Sequence, residues 1–456
     1  MNKVSSADVR IVKRPDFGAG FVWGCATSSY QVEGAVEADG RGESIWDHFA
    51  GIPGAIKDGS SGAIACDHHR LWRDDVALIR ELGFNAYRFS IAWPRIFPNG
   101  IGDAPNAAGL GFYSRLVDAL LEAGIEPWIT LYHWDLPQAL QERGGWRRRE
   151  TIDAFAAYAH AVTRALGDRV SRWITHNEPW CTAFMGHYEG IHAPGERDLG
   201  AALQVCHHVL VSHGRAVDAI RTNVANGKVG ITLSLHPILP GTESEDDAAA
   251  VVRHDGLRNR WFLDPLHGRG YPEDTWSLLG EHVPKVVDGD MAAIAGLTDF
   301  LGVNYYFPER VINAPGFAPL DTRVVMPGDV PTTAFGWEVC PSGLSALLSR
   351  ITRDYAPKAI YITENGATYD DELSPDGCIE DFERREFIQR HLAEALRAKR
   401  AGVPLDGYFA WSLLDNFEWA EGYTRRFGIC YVDFETQKRT PKASGLWFRD
   451  FLAGRG

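Results

Sequence analysis

Short runs of β-forming residues alternate with stretches of helical periodicity along nearly the whole chain. The helical stretches repeat apolar residues every three or four positions, as at Trp72, Val76 and Ile79, which predicts one buried face per helix. Several stretches end at a glycine before the next β-type run, as at Gly83 and Gly124. The β-type runs cover 21–27, 85–91, 126–133, 172–178, 228–235, 299–306, 359–365 and 407–414.

Eight βα units within 456 residues predict an α/β fold, a (β/α)8 TIM barrel with extended βα loops. We expect one barrel domain over 17–453, preceded by an N-terminal extension over 1–16. A doubly wound sheet is the alternative, yet no G-x-G-x-x-G fingerprint follows the first run. The segment 308–343 is rich in proline and glycine and lacks a clear period, and we interpret it as a loop at the rim of the catalytic face.

One β-type run ends in a way that burial alone does not explain. In YITENG, at 361–366, an apolar strand delivers Glu364 into an Asn-Gly turn. Burial of a charge is costly unless the charge is paired or used. Because the C-terminal ends of barrel strands face the catalytic mouth, Glu364 is predicted to lie there.

Polar and aromatic residues stand at the same end of every β-type run except the fifth. A single glutamate in such a place is more often a solvated or capping residue, and Glu178 precedes Pro179, where it could merely open a turn. Taken together, the residues at the strand ends favour a catalytic site, since two glutamates that face each other across one barrel mouth suit general acid/base and nucleophilic chemistry. The set is Gln31, Arg88, His133, Trp134, Asn177, Glu178, Asn304, Tyr306, Glu364, Trp411, Glu418 and Trp419.

The composition of the chain limits the classes of molecule that this site is expected to bind. A net charge of −14 lacks the basic footprint that nucleic-acid phosphates need and suits neutral or cationic small molecules. The sequence has no apolar run of about 18 residues and no secretory signal, so no membrane association is expected. Seven scattered cysteines without a CxxC pair indicate a reducing compartment, and hence a cytoplasmic protein.

No metal or cofactor is expected from the sequence. The pairs His68-His69 and His207-His208 are adjacent, and neighbours in sequence neither share a helix face nor match a zinc-ligand spacing. The sequence also lacks a glycine-rich loop with a lysine that would hold phosphates.

Seven motifs carry a resemblance to a known family, and together they span most of the chain. In order they are FVWGCATSSYQVEG, YRFSIAWPRI, LYHWDLP, THNEPW, LGVNYY, YITENGA and AWSLLDNFEWAEGY. Together they resemble the β-glucosidases of glycoside hydrolase family 1. NEP alone is a weak signal, whereas NEP followed by TENG and NFEW is specific.

The resemblance implies a (β/α)8 fold and a retaining double displacement. Glu178 matches the general acid/base and Glu364 the nucleophile, with their carboxyl groups about 5–5.5 Å apart. The reaction would begin with Glu178 protonated and Glu364 ionised. The implied substrates are terminal β-D-glucosyl residues in cellobiose, cello-oligosaccharides and aryl or alkyl glucosides, with β-galactosides and β-fucosides as further candidates. No cofactor is implied, and assembly into a homo-oligomer stays open.

The resemblance also assigns roles to the surrounding residues. Arg88 and Tyr306 match neighbours of the nucleophile, where a cation and a hydroxyl would keep Glu364 ionised. Trp337 matches an aromatic on the aglycone side, and for Trp180 this role and core packing are about equally favoured. The residues expected to bind substrate are Gln31, His133, Trp134, Asn177, Asn304, Tyr306, Trp337, Trp411, Glu418 and Trp419.

One departure and two alternatives remain. His176 stands where many relatives carry Phe or Leu, and it is expected to point away from the site. A 6-phospho-β-glucosidase on the same fold is the first alternative; the Glu418 carboxylate would repel a phosphate, although YTRRFG places two arginines nearby. A non-catalytic sugar-binding protein is the second, but such proteins lose a catalytic carboxylate, and Glu178 and Glu364 are both present.

Overall fold

A closed barrel of eight parallel strands forms the centre of the protein, in a computed structural model that describes residues 12–326 and 328–455. The predicted TIM barrel is therefore confirmed, and each predicted β-type run coincides with one barrel strand. The strands are Val22–Ala26, Ala86–Ser90, Glu126–Tyr132, Arg172–Asn177, Lys228–Ser234, Phe300–Asn304, Ile360–Asn365 and Leu405–Trp411.

Each barrel strand pairs in parallel with its neighbours along the chain, and the first strand pairs with the eighth to close the barrel. The register of the closing pair runs from Val22 opposite Gly407 to Ala26 opposite Trp411. Since all strands point the same way, their C-terminal residues gather at one end of the barrel. This geometry collects side chains from distant parts of the sequence into a single mouth.

Aromatic side chains fill the lower part of the barrel. Trp128 is fully buried at the centre and contacts three further rings edge-on or tilted, with centroid distances of 5.4 Å to Phe300, 4.7 Å to Tyr361 and 5.1 Å to Phe409. Such pairs add to the free energy of burial itself. The barrel is therefore a packed core below the mouth, and the polar residues lie on a rigid base.

Helices cover the outside of the barrel, and the apolar repeat predicted from the sequence lies on one of them. The residues Trp72, Val76 and Ile79 form the buried face of one helix, which is followed by Gly83 with φ 82°; Gly124 has φ 75° after another. Both glycines adopt the left-handed backbone that ends a helix. The helices of ten or more residues are His68–Glu81, Ala107–Glu122, Glu150–Leu166, Leu199–Asn223, Glu245–Asp255, Pro341–Tyr355, Phe382–Arg400 and Ala443–Leu452.

Shorter elements occur mainly in the loops. The short α-helices are Ser29–Val32, Ile45–Ala50, Trp93–Ile96, Gln138–Gln141, Trp261–Leu266, Glu273–Leu279 and Asp290–Ile294. The 3-10 turns are Arg14–Phe17, Ala38–Gly40, Gly145–Arg147, Gly280–His282 and Trp419–Glu421, and the π-helical turns are Cys181–Met185 and Gly256–Arg260. A two-stranded sheet joins Cys430–Val432 and Arg439–Pro441.

The segment 308–343 differs from the predicted irregular loop. It contains the antiparallel strands Glu309–Asn313 and Thr322–Val325, and the first of them pairs in parallel with Ile238–Pro240. The pairing partner lies far away in sequence, so local periodicity could not reveal the sheet. The later part of the segment carries Trp337 to the cavity described below, in keeping with the predicted position at the rim.

The predicted N-terminal extension is only partly covered. Residues 1–11 lie outside the described residues. Within the described part, Arg14–Phe17 forms a 3-10 turn, and the Arg14 guanidinium donates a hydrogen bond to the Leu452 carbonyl at 2.7 Å. The division at residue 16 stays a prediction. No helix within 12–326 and 328–455 has both the length and the apolar character needed to cross a membrane.

Replacement of the central indole tests how much the aromatic core stabilises the barrel. We expect Trp128→Ala to lower the free energy of unfolding by about 3–5 kcal/mol, because it removes a fully buried ring and leaves a cavity. Urea denaturation followed by circular dichroism measures this change. The control is Trp447→Ala, which replaces a half-buried tryptophan on the outer helix Ala443–Leu452. This substitution should lower the free energy of unfolding clearly less than Trp128→Ala does. Equal losses would contradict the central role of Trp128.

Candidate active site

A cavity of about 360 Å³ opens at the C-terminal ends of the barrel strands. Both candidate catalytic glutamates line it, together with most of the predicted aromatic residues. The predicted residues that line it are His133, Trp134, Glu178, Tyr306, Trp337, Glu364, Trp411, Glu418 and Trp419.

Glu364 stands at the end of the seventh barrel strand, and two side chains hold its carboxylate. The Arg88 guanidinium donates to Oε1 at 2.6 Å, and the Tyr306 hydroxyl donates to Oε2 at 2.6 Å. The register with the sixth strand shifts between Ile362 and Glu364. Such an irregularity re-aims a side chain relative to simple alternation. Glu364 is therefore fixed in orientation, with both oxygens occupied.

Glu178 directly follows the fourth barrel strand and has an unusual backbone. Its φ is 46°, in the left-handed region that non-glycine residues rarely adopt, and it precedes Pro179. The register with the fifth strand also shifts near this end, between Ile174 and Asn177. The Asn304 side-chain amide donates to Glu178 Oε1 at 2.7 Å. Strained backbone of this kind is found where the surrounding structure holds a residue in one position.

Asn177 joins the two glutamates through a buried network. Its Oδ1 accepts hydrogen bonds from Arg88 at 2.6 Å and from Asn304 at 3.1 Å, and these two donors also contact Glu364 and Glu178, respectively. Its Nδ2 lies 3.1 Å from His133 Nε2, and burial holds the pKa of His133 well below its usual value. The neutral imidazole can therefore accept this bond, and the Asn177 side chain contacts three polar side chains.

Four predicted site residues lie behind the cavity wall rather than on it. Arg88, Asn177 and Asn304 are at most 1% exposed, and they contact the glutamates as described above. Gln31 is fully buried, and its Nε2 donates to the Phe417 carbonyl at 3.0 Å and to Glu418 Oε2 at 3.3 Å. These residues support the lining side chains, and their direct contact with a substrate stays a prediction.

Aromatic rings form the walls of the cavity. The His133 ring lies nearly parallel to the rings of Trp411 and Trp419, with interplanar angles of 15° and 14°. The Trp134 indole donates to the Asn177 carbonyl at 2.9 Å, which ties this wall to the polar network. Flat apolar faces beside hydrogen-bonding groups suit a ring that has apolar faces and hydroxyl edges, which is the surface of a sugar.

The comparisons with known proteins agree with this geometry. A family model described as Glycosyl hydrolase family 1 matches residues 13–456. The chain belongs to this family. Beta-glucosidase A from Thermotoga maritima is 47% identical, over 96% of this chain and 98% of that protein. A 1,4-beta-D-glucan glucohydrolase from Thermotoga neapolitana is 45% identical, over 96% of this chain and 99% of that protein.

Solved structures of family 1 enzymes share the fold of this chain. The structure of a family 1 β-glucosidase from Thermotoga maritima matches with a TM-score of 0.93 at 47% identity, and covers 96% of this chain and 98% of that one. The β-glucosidase from the same organism in complex with glucoimidazole also matches with a TM-score of 0.93, at 46% identity, over 96% and 99% of the two chains.

Burial is the largest cause of the raised pKa values of two glutamates in this family 1 site. It raises the pKa of Glu364 to about 7; the Arg88 cation and the Tyr306 hydrogen bond lower it, and the Glu178 charge raises it. Burial and the neighbouring carboxylates also raise the pKa of Glu418 to about 8. The predicted neighbours of Glu364 are present, but they offset only part of the cost of burial. Ionised Glu364 is thus the minor form in acidic solution.

Several lining residues were not predicted from the sequence. Arg258 and Glu309 form an ion pair at 3.0 Å on one side of the cavity, and the Arg258 guanidinium lies 4.3 Å from the centre of the Trp180 ring. Trp180 lines the cavity and also stacks on Phe184 at 4.1 Å, so both of its candidate roles have support. Cys181 lines the cavity beside Glu178. Arg258 and Cys181 stand on π-helical turns rather than at strand ends, so strand positions gave no signal for them.

Three further histidines named in the sequence analysis have structural partners. His176 bonds to Ser212 at 2.8 Å and packs on Phe155, so it points away from the cavity as expected. His68 bonds to Asp75 and His207 to Asp290, at 2.7 and 2.9 Å. Among the residues that the structure describes, no group of three or more His, Cys, Asp or Glu side chains is arranged to hold a metal ion.

Removal of the Tyr306 hydroxyl tests the electrostatics of Glu364. The hydroxyl stabilises the ionised carboxylate, so Tyr306→Phe raises the pKa of Glu364 further and shifts the acidic limb of glycoside hydrolysis to higher pH. The pH dependence of kcat/KM measures the shift. Tyr305→Phe is the matched control, because the Tyr305 hydroxyl donates to the Cys340 carbonyl instead. An unchanged acidic limb in Tyr306→Phe would refute this account.

Proposed function

We propose that the protein is a retaining β-glucosidase that releases terminal β-D-glucosyl residues. The observation that carries the proposal is the pair of glutamates in one cavity, Glu364 bound by Arg88 and Tyr306 and Glu178 bound by Asn304. The β-glucosidase names of relatives at 43–47% identity, over nearly their whole length, support the same activity.

In the first step the ionised carboxylate of Glu364 attacks the anomeric carbon. The bond between that carbon and the leaving oxygen breaks, and Glu178 transfers its proton to the leaving oxygen. Because Arg88 and Tyr306 donate to both oxygens of Glu364, the carboxylate is held in one orientation before the attack. The product is a covalent glycosyl-enzyme and a free aglycone.

In the second step a water molecule replaces the aglycone. Glu178, now ionised, accepts a proton from the water as the oxygen attacks the anomeric carbon, and the bond to Glu364 breaks. Two inversions at the same carbon retain the β configuration. The enzyme then returns to its starting state, with Glu178 protonated and Glu364 ionised.

The cavity walls support glucose-like substrates without a phosphate. We assign the sugar hydroxyls to Gln31, His133, Asn177, Glu418 and Trp419 and the apolar ring face to Trp411; cellobiose, cello-oligosaccharides and aryl or alkyl glucosides are the proposed substrates. The enzymes from Thermotoga neapolitana named 1,4-beta-D-glucan glucohydrolase support glucan-derived substrates. β-Galactosides and β-fucosides are further candidates, because they differ from β-glucosides only in the sugar hydroxyls and the C6 group.

A 6-phospho-β-glucosidase is not favoured. Glu418 lines the cavity, so a phosphate would meet a carboxyl group there. The two arginines of YTRRFG have other partners: Arg425 lies 3.2 Å from Glu421, and Arg426 bonds to Asp415 at 2.7 Å. Neither arginine lines the cavity. The arginines therefore do not supply a phosphate site next to Glu418.

We also propose that the protein acts in a reducing compartment such as the cytoplasm. All seven cysteines are free thiols, and five of them are buried. Free thiols persist where the surroundings are reducing. Assembly into a homo-oligomer stays a prediction.

Replacement of the proposed nucleophile is the direct test. We expect Glu364→Gln to reduce hydrolysis of an aryl β-glucoside by about 10⁴-fold or more, because the amide cannot form the glycosyl-enzyme. Steady-state kinetics with 4-nitrophenyl β-D-glucoside measures the loss. Glu126→Gln is the control, since Glu126 begins the third strand at the opposite end of the barrel. Substantial residual activity in Glu364→Gln would overturn the assignment.

Replacement of the proposed acid/base separates the two steps. Glu178→Ala should slow substrates with poor leaving groups by about 10²–10⁴-fold, but affect activated aryl glucosides much less in the first step. Added azide needs no base and should attack the glycosyl-enzyme to give a β-glycosyl azide, identified by NMR. An α-glycosyl azide would show that the mechanism is not retaining.

A further inference from the structure

A cysteine thiol contacts the proposed acid/base directly. Cys181 Sγ lies 3.1 Å from Glu178 Oε2, and both residues line the cavity. Cys181 is 7% exposed, so bulk water competes little for either partner. The other hydrogen bond to this carboxyl group within the described chain comes from the Asn304 amide and reaches Oε1. The thiol therefore contacts one oxygen of Glu178 and the Asn304 amide contacts the other.

The local backbone fixes the thiol in this position. The Cys181 backbone N–H donates to the Glu178 carbonyl at 2.9 Å, and Cys181 begins the π-helical turn Cys181–Met185. The two side chains thus project from adjacent points of one tight turn. A small substitution at 181 changes the donor without removing this turn.

The asparagine contact decides which oxygen of Glu178 carries the exchangeable proton. Asn304 Oδ1 accepts a hydrogen bond from Thr363 at 2.7 Å, which orients the Asn304 amide so that its N–H group faces Glu178 Oε1. In a protonated carboxyl group the carbonyl oxygen is the better acceptor, so the N–H bond to Oε1 favours the acid proton on Oε2, the oxygen beside the thiol.

We propose that Cys181 is a positioning residue that stabilises the ionised form of Glu178 between the two steps of the reaction. The inference rests on the proposed role of Glu178. After Glu178 gives up its proton, the Cys181 S–H donates to the bare Oε2; when Glu178 is protonated, the weakly accepting sulfur makes no comparable bond. Burial and the Glu178 charge keep the pKa of the Cys181 thiol well above its usual value, so the thiol stays a donor.

Other ionisable groups also act on this pair, and the test must leave them unchanged. The titratable or charged side chains that face Glu178 or Cys181 from other elements are Glu364, Tyr306, Glu418, Glu189 and Arg258. A comparison of two substitutions at position 181 keeps all five in place. The difference between the two variants then isolates the hydrogen bond to Oε2.

Cys181→Ser and Cys181→Ala should shift the alkaline limb of kcat/KM in opposite directions. A serine hydroxyl is a stronger donor, so it favours ionised Glu178 and moves the limb to lower pH; alanine has no donor, so the limb moves to higher pH. Each shift should be about half a pH unit. The substrate is an alkyl β-glucoside, whose poor leaving group requires the proton of Glu178. Shifts in the same direction, or none, would overturn the proposal.

Controls separate this effect from general loss of packing. Cys206→Ser and Cys206→Ala change a fully buried thiol on the outer helix Leu199–Asn223 and should leave the alkaline limb in place. Thermal unfolding of every variant is recorded, and Cys181→Val supplies a second donor-free variant should Cys181→Ala unfold early. Movement of the limb in the Cys206 variants would attribute the effect to packing and refute the specific contact.

A further pair of variants distinguishes failure of this inference from failure of the proposed function. In a Glu178→Ala background, Cys181→Ser should not change the azide-rescued rate, because the carboxyl group that it contacts is gone. If azide does not rescue Glu178→Ala at all, the role of Glu178 is wrong. If azide rescues it but the Cys181 variants do not move the alkaline limb, only the role of Cys181 is wrong.

Discussion

The active site depends on one buried ion pair, between Arg88 and Glu364. The two charged atoms lie 2.6 Å apart, and the side chains are 1% and 4% exposed. Removal of two charges from water is expensive, and only close geometry with further hydrogen bonds repays it. Tyr306 and Asn177 supply those bonds on either side of the pair. The Glu364 carboxylate is therefore held in one orientation at the barrel mouth, where it can react with a substrate.

The ion pair depends on closure of the barrel, which brings Arg88 and Glu364 together. Arg88 lies on the second strand and Glu364 on the seventh, and the first and eighth strands stand between them in the ring. The aromatic core around Trp128 fills the space inside the barrel below the mouth. The polar network above therefore rests on a packed base, and side chains on rigid strands keep their geometry better than side chains on loops.

The same enclosure explains why the cavity suits a neutral sugar. Burial and neighbouring carboxylates raise the pKa of Glu364 and of Glu418, so the cavity disfavours negative charge and would disfavour the charge of a phosphate as well. Hydroxyl groups can donate to these carboxyl groups without adding a charge, while the Trp411 ring presents a flat apolar face to the cavity. Specificity for an uncharged ring thus follows from electrostatics and shape together.

The sequence by itself determined the eight strands, the outer helices and the residues at the strand ends, because these depend on local periodicity and on the common direction of parallel strands. Only the tertiary structure placed Cys181 and Arg258 in the cavity. Both residues stand on π-helical turns, and the position of such a turn relative to the barrel mouth does not follow from the order of the strands. The structure also revealed the sheet within 308–343, whose partner Ile238–Pro240 is distant in the chain. The tertiary structure also determined the pKa of Glu364, because desolvation depends on the groups that surround a side chain in three dimensions rather than on its neighbours in sequence.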